Sequence, residues 1–185
     1  HYYYRFIYQN GGKNYTSRTG RTKTAAAIDS DSKVKFAYVS CQDYIGRYFN
    51  NYLSLLDNDD LDFVVHLGDY IYETTGDLQF QSSGGARSIE FNDSEGALTI
   101  GVGDSKTQAA NSLDNYRQLY KTYRTDELLQ RVHERFPMIA IWDDHEFSDD
   151  SWGDTATYLD GAGDEKQTQR KKNSEMAYFE YMPID

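Results

Sequence analysis

The sequence predicts an α/β fold, and three observations carry that prediction. Val34 to Ser40, Leu61 to Leu67 and Met138 to Trp142 have the length and the β-branched and aromatic content of buried strands. Between the first two, Ile45, Tyr48, Phe49, Tyr52, Leu55 and Leu56 recur at amphipathic-helix spacing, so strand, helix and strand read as a βαβ unit with parallel pairing and a right-handed crossover. Each run ends in groups that carry chemistry: Cys41 after the first, Gly68-Asp69 after the second, Asp143-Asp144-His145-Glu146 after the third. Ligands of open α/β sheets bind beyond the carboxyl ends of the strands.

Taken in order, residues 2 to 8 alternate and are rich in aromatics, which favours an extended strand, and the chain reads as beginning inside a larger protein. Asn10 to Ser32 is Gly, Ser, Thr, Lys and Asn without a period, a loop or linker that places a boundary near Ser32. The helix from Ile45 is closed by Asp57-Asn58-Asp59-Asp60. Thr74 to Asn111 has six glycines and no sustained period, and reads either as a lid beside the site or as a mobile surface insertion. Leu113, Tyr116, Leu119, Tyr120 and Tyr123 form a second helical stripe. A third helix starts after Thr125, whose hydroxyl is suited to cap it, buries Leu128, Leu129 and Val132, and is barred from continuing by Pro137. A polar loop through Asp164 follows the acidic stretch, and a last helix over 166–181 stops before Pro183.

The 185 residues are globular in composition, with 38% hydrophobic and 26% charged residues. A net charge of −11 opposes binding to nucleic acid or anionic membrane unless cations intervene, and no basic patch offsets it. One cysteine excludes an internal disulfide, no apolar run approaches the ~18 residues of a membrane span, and the first residues lack the features of a signal peptide. The acidic box after the third strand imitates that of a nucleotide-hydrolysing motor, but the phosphate loop that such a motor needs is absent.

If the three strands are neighbours, their ends line a thiol, carboxylates, a phenol and an imidazole along one edge, a place to hold cations. Each residue alone also has a plainer reading: Cys41 as a small buried hydrophobe, His66 as a satisfied core histidine, His133 on a solvated helix face.

Phe36 to Gln42, His66 to Glu73 and Trp142 to Asp150, in that order, resemble the PhoD-type alkaline phosphatases and phosphodiesterases. These are a branch of the calcineurin-like metallophosphoesterases, similar to purple acid phosphatases in using a tyrosine ligand. The resemblance covers about residues 34 to 185. Residues 1–31 resemble the end of the small β-sandwich domain that precedes the catalytic domain, which would make 32–185 the N-terminal half of that domain. The fold thereby implied is part of a four-layer α-β-β-α sandwich. Position by position, the resemblance implies Asp69 as a bridging metal ligand, Tyr72 as the phenolate on ferric iron, and Cys41 as a ligand peculiar to the branch. Asp144 then stands where related enzymes place an asparagine ligand, Asp149 and Asp150 where some members contact calcium, and His145 near the leaving group or phosphate.

The expected cofactors are therefore Fe3+ and Ca2+, the expected substrate a phosphate monoester or diester, and the expected location secreted or periplasmic. The family's later histidine- and aspartate-bearing motifs are not in this chain, so the remaining ligands are expected from the C-terminal half of the same protein. The alternatives are a non-catalytic cation-binding or interaction module, or an inactive fragment lacking the second half of the site.

Overall fold

The computed structural model describes residues 1–78, 80–82, 87–101, 103–157, 163–182 and 184. Its centre is the parallel sheet β5-β6-β9, formed by Phe36–Val39, Phe63–His66 and Met138–Ala140. In chain order β1 (Tyr2–Tyr4), β2 (Ile7–Asn10), β3 (Lys13–Thr16) and β4 (Gly20–Thr22) precede it, β7 (Leu98–Ile100) and β8 (Thr107–Ala109) form a separate antiparallel pair between β6 and β9, and β10 (Thr155–Ala156) and β11 (Glu165–Lys166) follow it. The helices are α1 (Tyr52–Leu56), α2 (Leu113–Tyr123), α3 (Glu127–Arg135) and α4 (Thr168–Tyr181).

Pairing register sorts the sheet into two faces, because successive side chains alternate. Ala37, Val64 and Met138 are cross-strand neighbours, as are Val39, His66 and Ala140, and this face joins a core with Tyr52, Tyr116, Leu119, Leu129, Val132 and Tyr178 from the four helices. On the other face Phe36 stacks on Phe63 with ring centroids 5.3 Å apart, and Tyr38 neighbours Val65 and Ile139. Phe36, Tyr38 and Ile139 are 52, 71 and 55% exposed, and Leu67 and Ile141 extend the bare apolar surface.

Helices α2 and α3 begin as their sequences direct. Ser112 and Asn115 form a reciprocal capping box at α2. At α3 the cap is Asp126, which accepts from Leu129 N at 2.9 Å, and not the expected Thr125, whose hydroxyl is bonded back to Thr122 O. A carboxylate one residue later serves the same exposed amides and suits the positive helix end.

Elsewhere the expectations need correction. The helix expected from Ile45 to Leu56 is only Tyr52–Leu56. Gly46 has φ +69, and a Cβ there would meet the Ser82 side chain at 2.6 Å, so the chain turns where the period suggested helix. Ile45, Phe49 and Tyr52 are nevertheless buried, and the stripe recorded their burial. The stretch expected as a linker contains β3 and β4: Gly11 and Gly12, both at positive φ, turn β2 into β3, and β4 pairs antiparallel with β1. β3 is exposed and polar apart from Tyr15, and β4 is only three residues long, so neither offers an alternation to read. Within 74–111, β7 pairs β8 and Ile89, Phe91 and Ile100 are buried, so much of this stretch is packed structure rather than a mobile insertion. The expected loop through Asp164 includes the β10–β11 ladder. Residues 79, 83–86, 102 and 158–162, which fall in these expected loops, and Pro183, expected to stop α4, lie outside the described residues.

Candidate active site

The ends of β5 and β6 continue their ladder and then turn together. Cys41 N donates to Gly68 O (3.2 Å) and Gln42 N to Asp69 O (3.0 Å). Gly68 has φ +104, and a Cβ on it would lie 2.4 Å from Asp143 N, so only glycine lets the β6 end approach the β9 end this closely. Glu146, buried, fastens the two: its carboxylate accepts from Asp69 N (3.0 Å), Tyr70 N (2.6 Å) and Asp143 N (2.7 Å). Among the described residues, the non-glycine positions with positive φ are Cys41, Asp69 and Asp150, at +57, +54 and +52°. Such conformations cost about 1–3 kcal/mol each and tend to collect at functional sites.

These turns gather the side chains singled out from the sequence. Cys41 Sγ donates to Asp69 Oδ2 at 3.3 Å and the Tyr72 hydroxyl to the same oxygen at 3.4 Å. Asp69, Asp144 and His145 each present a ligand atom within 4.8 Å of the others, and so do Asp144, Asp149 and Asp150. Asp144 is thus common to two neighbouring groups. Cys41 and Asp150 are exposed, Asp144 and Asp149 half-buried, and Asp69, Tyr72 and His145 buried.

His145 is held from several sides. Its Nδ1 lies 2.8 Å from Glu73 Oε2 and its Nε2 3.4 Å from Asp149 Oδ1. The Tyr72 ring lies over it at 4.0 Å, and Phe80 meets it edge-on at 5.1 Å. Glu73, fully buried, also accepts from Asp149 N at 2.8 Å, so one carboxylate positions two candidate residues.

Electrostatically the site is over-supplied with acids. Burial raises the Asp69 carboxyl, against the opposing pull of His145, and burial raises Asp149 to about 6 and Glu146 to about 7. Burial and then the Asp69 carboxylate push the Tyr72 phenol well up, and burial raises the Cys41 thiol. For His145, burial opposes protonation, but the Glu73 hydrogen bond and the carboxylates of Glu73, Asp69 and Asp144 prevail and lift it to about 9. A bound cation reverses each of the anionic shifts.

The residues present fit a metal. Asp69 Oδ1 is buried without a hydrogen-bond partner, and the surrounding oxygen, nitrogen and sulfur donors suit hard and borderline cations.

Two histidines depart from expectation. His66 is buried, with Nδ1 accepting from Gly68 N (3.3 Å), but its Nε2 has no hydrogen-bond partner, so it is only half satisfied. His133 does not lie on a solvated face: its Nε2 meets the Tyr70 hydroxyl at 2.8 Å. Glu73 and Glu146 both stand inside the motif segments, but the sequence assigns neither a role of its own. Two acids at the ends of apolar runs were the available signal, but their task, accepting from backbone amides far away in sequence, is visible only in the fold.

No helix among the described residues is long and apolar enough to cross a membrane. The family model described as PhoD-like phosphatase matches residues 36–185. Alkaline phosphatase D of Bacillus subtilis (strain 168) is 32% identical over 184 residues, which is 99% of this chain but 28% of that protein. A solved structure described as "Structure of PhoD" matches with a TM-score of 0.68 at 29% identity, covering 99% of this chain and 31% of that one. The chain spans less than a third of either relative, yet its strand ends, their motifs and the family match over most of its length agree. This mixed α/β chain belongs to the PhoD-like phosphatase family.

Proposed function

We propose that this chain carries part of the active site of a phosphatase that hydrolyses phosphate monoesters or diesters with the help of metal ions. The observation that carries the reading is the meeting of Asp69, Asp144 and His145 around a buried, unpartnered carboxylate oxygen at the C-terminal edge of the sheet. In this reading Cys41, Asp69, Tyr72 and Asp144 hold one or more cations, with Fe3+ at the Tyr72 phenolate, and Asp149 and Asp150 hold Ca2+. When bound, such cations neutralise phosphate oxygens and acidify water for in-line attack.

The chain's own residues do the rest. Glu73 holds His145 Nδ1, and Nε2, 3.4 Å from Asp149 Oδ1, carries the proton delivered to the leaving oxygen. The Tyr72 and Phe80 rings shield the imidazole from water, and Glu146 keeps the ends of β6 and β9 in register under the substrate. Uncapped anionic donors attract cations first; the phosphate follows them into an otherwise repulsive, acidic edge.

The architecture belongs to the same reading. Residues 1–31 are taken as the end of a preceding β-domain and 32–185 as the N-terminal half of a four-layer α-β-β-α domain. The bare apolar face of Phe36, Tyr38 and Ile139 supports a second sheet packed on it. The remaining ligands come from the C-terminal half of the same protein. A secreted or periplasmic location rests on the family likeness alone.

The test uses the intact protein with a phosphate monoester and a diester. Asp69→Asn should lower kcat/KM by at least about 10²-fold and reduce bound metal found by elemental analysis. Tyr72→Phe should remove a visible tyrosinate-to-iron band. Full activity of the Asp69 variant sinks the proposal; full activity with a colourless wild type removes only iron.

A further inference from the structure

A cavity of about 310 Å³ opens beside Cys41, between the end of β5 and α1. Cys41 lines it, and the Cys41 sulfur lies 3.3 Å from Asp69 Oδ2, so the cavity borders the donor cluster at Cys41. Tyr48, Phe49, Tyr52 and Leu55 are among its lining residues, a composition suited to a flat apolar group, with Asp43 beside them. Arg47 is the cation among the lining residues. Its guanidinium donates to Phe80 O at 2.6 Å and approaches Asp43 Oδ2 at 3.4 Å, while the side chain stays half exposed. That bond also ties the cavity to the ring that meets His145 edge-on.

We propose that this cavity receives the alcohol portion of the substrate ester and favours an aromatic alcohol, with Arg47 recognising an anionic substituent on its ring. The inference rests on the phosphatase reading, because it needs the phosphoryl group at the neighbouring edge. In the reaction a water oxygen bonds to phosphorus, the phosphorus–oxygen bond to the aromatic alcohol breaks, and the leaving oxygen takes up a proton. A product ring held against Phe49 and Tyr52 keeps the leaving oxygen beside the donors throughout.

Asn51 is a suitable place to obstruct the cavity, since it lines the space, is exposed, and makes no side-chain cap bond to α1. In the intact protein, kcat/KM is measured for methyl, phenyl, 1-naphthyl and 4-carboxyphenyl phosphate, and each variant is compared with wild type on the same ester, which removes differences in leaving-group reactivity. Asn51→Trp should lower kcat/KM about tenfold or more for 1-naphthyl phosphate and leave methyl phosphate within about twofold. Arg47→Met should abolish the wild-type preference for the carboxylated over the plain phenyl ester.

Equal losses on all four esters, or no loss on any, overturn the subsite while the phosphatase reading stands. Absence of hydrolysis of every ester by the wild type overturns that reading and the subsite with it. Should Asn51→Trp fail to fold, the Arg47→Met preference decides alone.

Discussion

At the C-terminal edge of the sheet, Cys41, Asp69 and Asp150 hold left-handed backbone, acids crowd one another, and a buried Asp69 oxygen lacks a partner. On the helix-covered face of the same strands, Val64, Tyr116, Leu119 and Leu129 are completely buried in a continuous apolar cluster. One strand thus passes within a few residues from packing that stabilises to conformations that cost stability. The difference teaches that the core supplies what the edge spends: strain is tolerated only where surrounding structure over-determines it.

The largest expected effect lies in the core. Leu129→Ala should destabilise the intact protein by about 2–5 kcal/mol in denaturant melts, through lost burial and a cavity beside Val132. If it costs no more than a surface change, the core is not the support it is taken to be.

A smaller effect comes from protons. His133 is held to about 3 and His66 to about 4 by burial, below the ordinary histidine value of 6.5. Protonation therefore favours the unfolded chain. The stability these neutral rings contribute is complete above about pH 6.5 and is lost as pH falls toward 4 and 3, at up to ~1.4 kcal/mol per unit for each ring. His133→Gln should narrow the stability difference between pH 7 and pH 5 by about 1–2 kcal/mol relative to wild type. An unchanged difference would mean that this ring titrates normally.

The smallest effect has the opposite sign. Asp150→Gly relieves a left-handed position on an exposed residue and should stabilise by a few tenths to about 1 kcal/mol while weakening cation binding. Destabilisation would show that the carboxylate contributes more than its backbone conformation costs.

The sequence made the sheet and its chemistry readable for the same reason. Apolar runs followed at once by Gly68-Asp69 and Asp143-Asp144-His145 mark both where a strand runs and where it stops, although Ile139 and Leu67 stand exposed on the bare face. The helix over Leu113–Tyr123 was equally plain, since its apolar residues recur at helical spacing. The false helix from Ile45 shows the limit: burial on one side produces a stripe whether or not the backbone is helical, and Gly46 decides. Left-handed Cys41, Asp69 and Asp150 gave no warning, because no glycine marks them. Glu73 and Glu146 likewise owe their tasks to amides up to 77 residues away, a relation no local pattern encodes.

Glu146 gathers amides from the tails of two strands onto one carboxylate, so those tails cannot loosen independently. Opening one releases the other, and the amide hydrogens of Asp69, Tyr70 and Asp143 should exchange with solvent as a single cooperative group. The floor of the candidate site then behaves as one hinged plate, intact or absent as a whole.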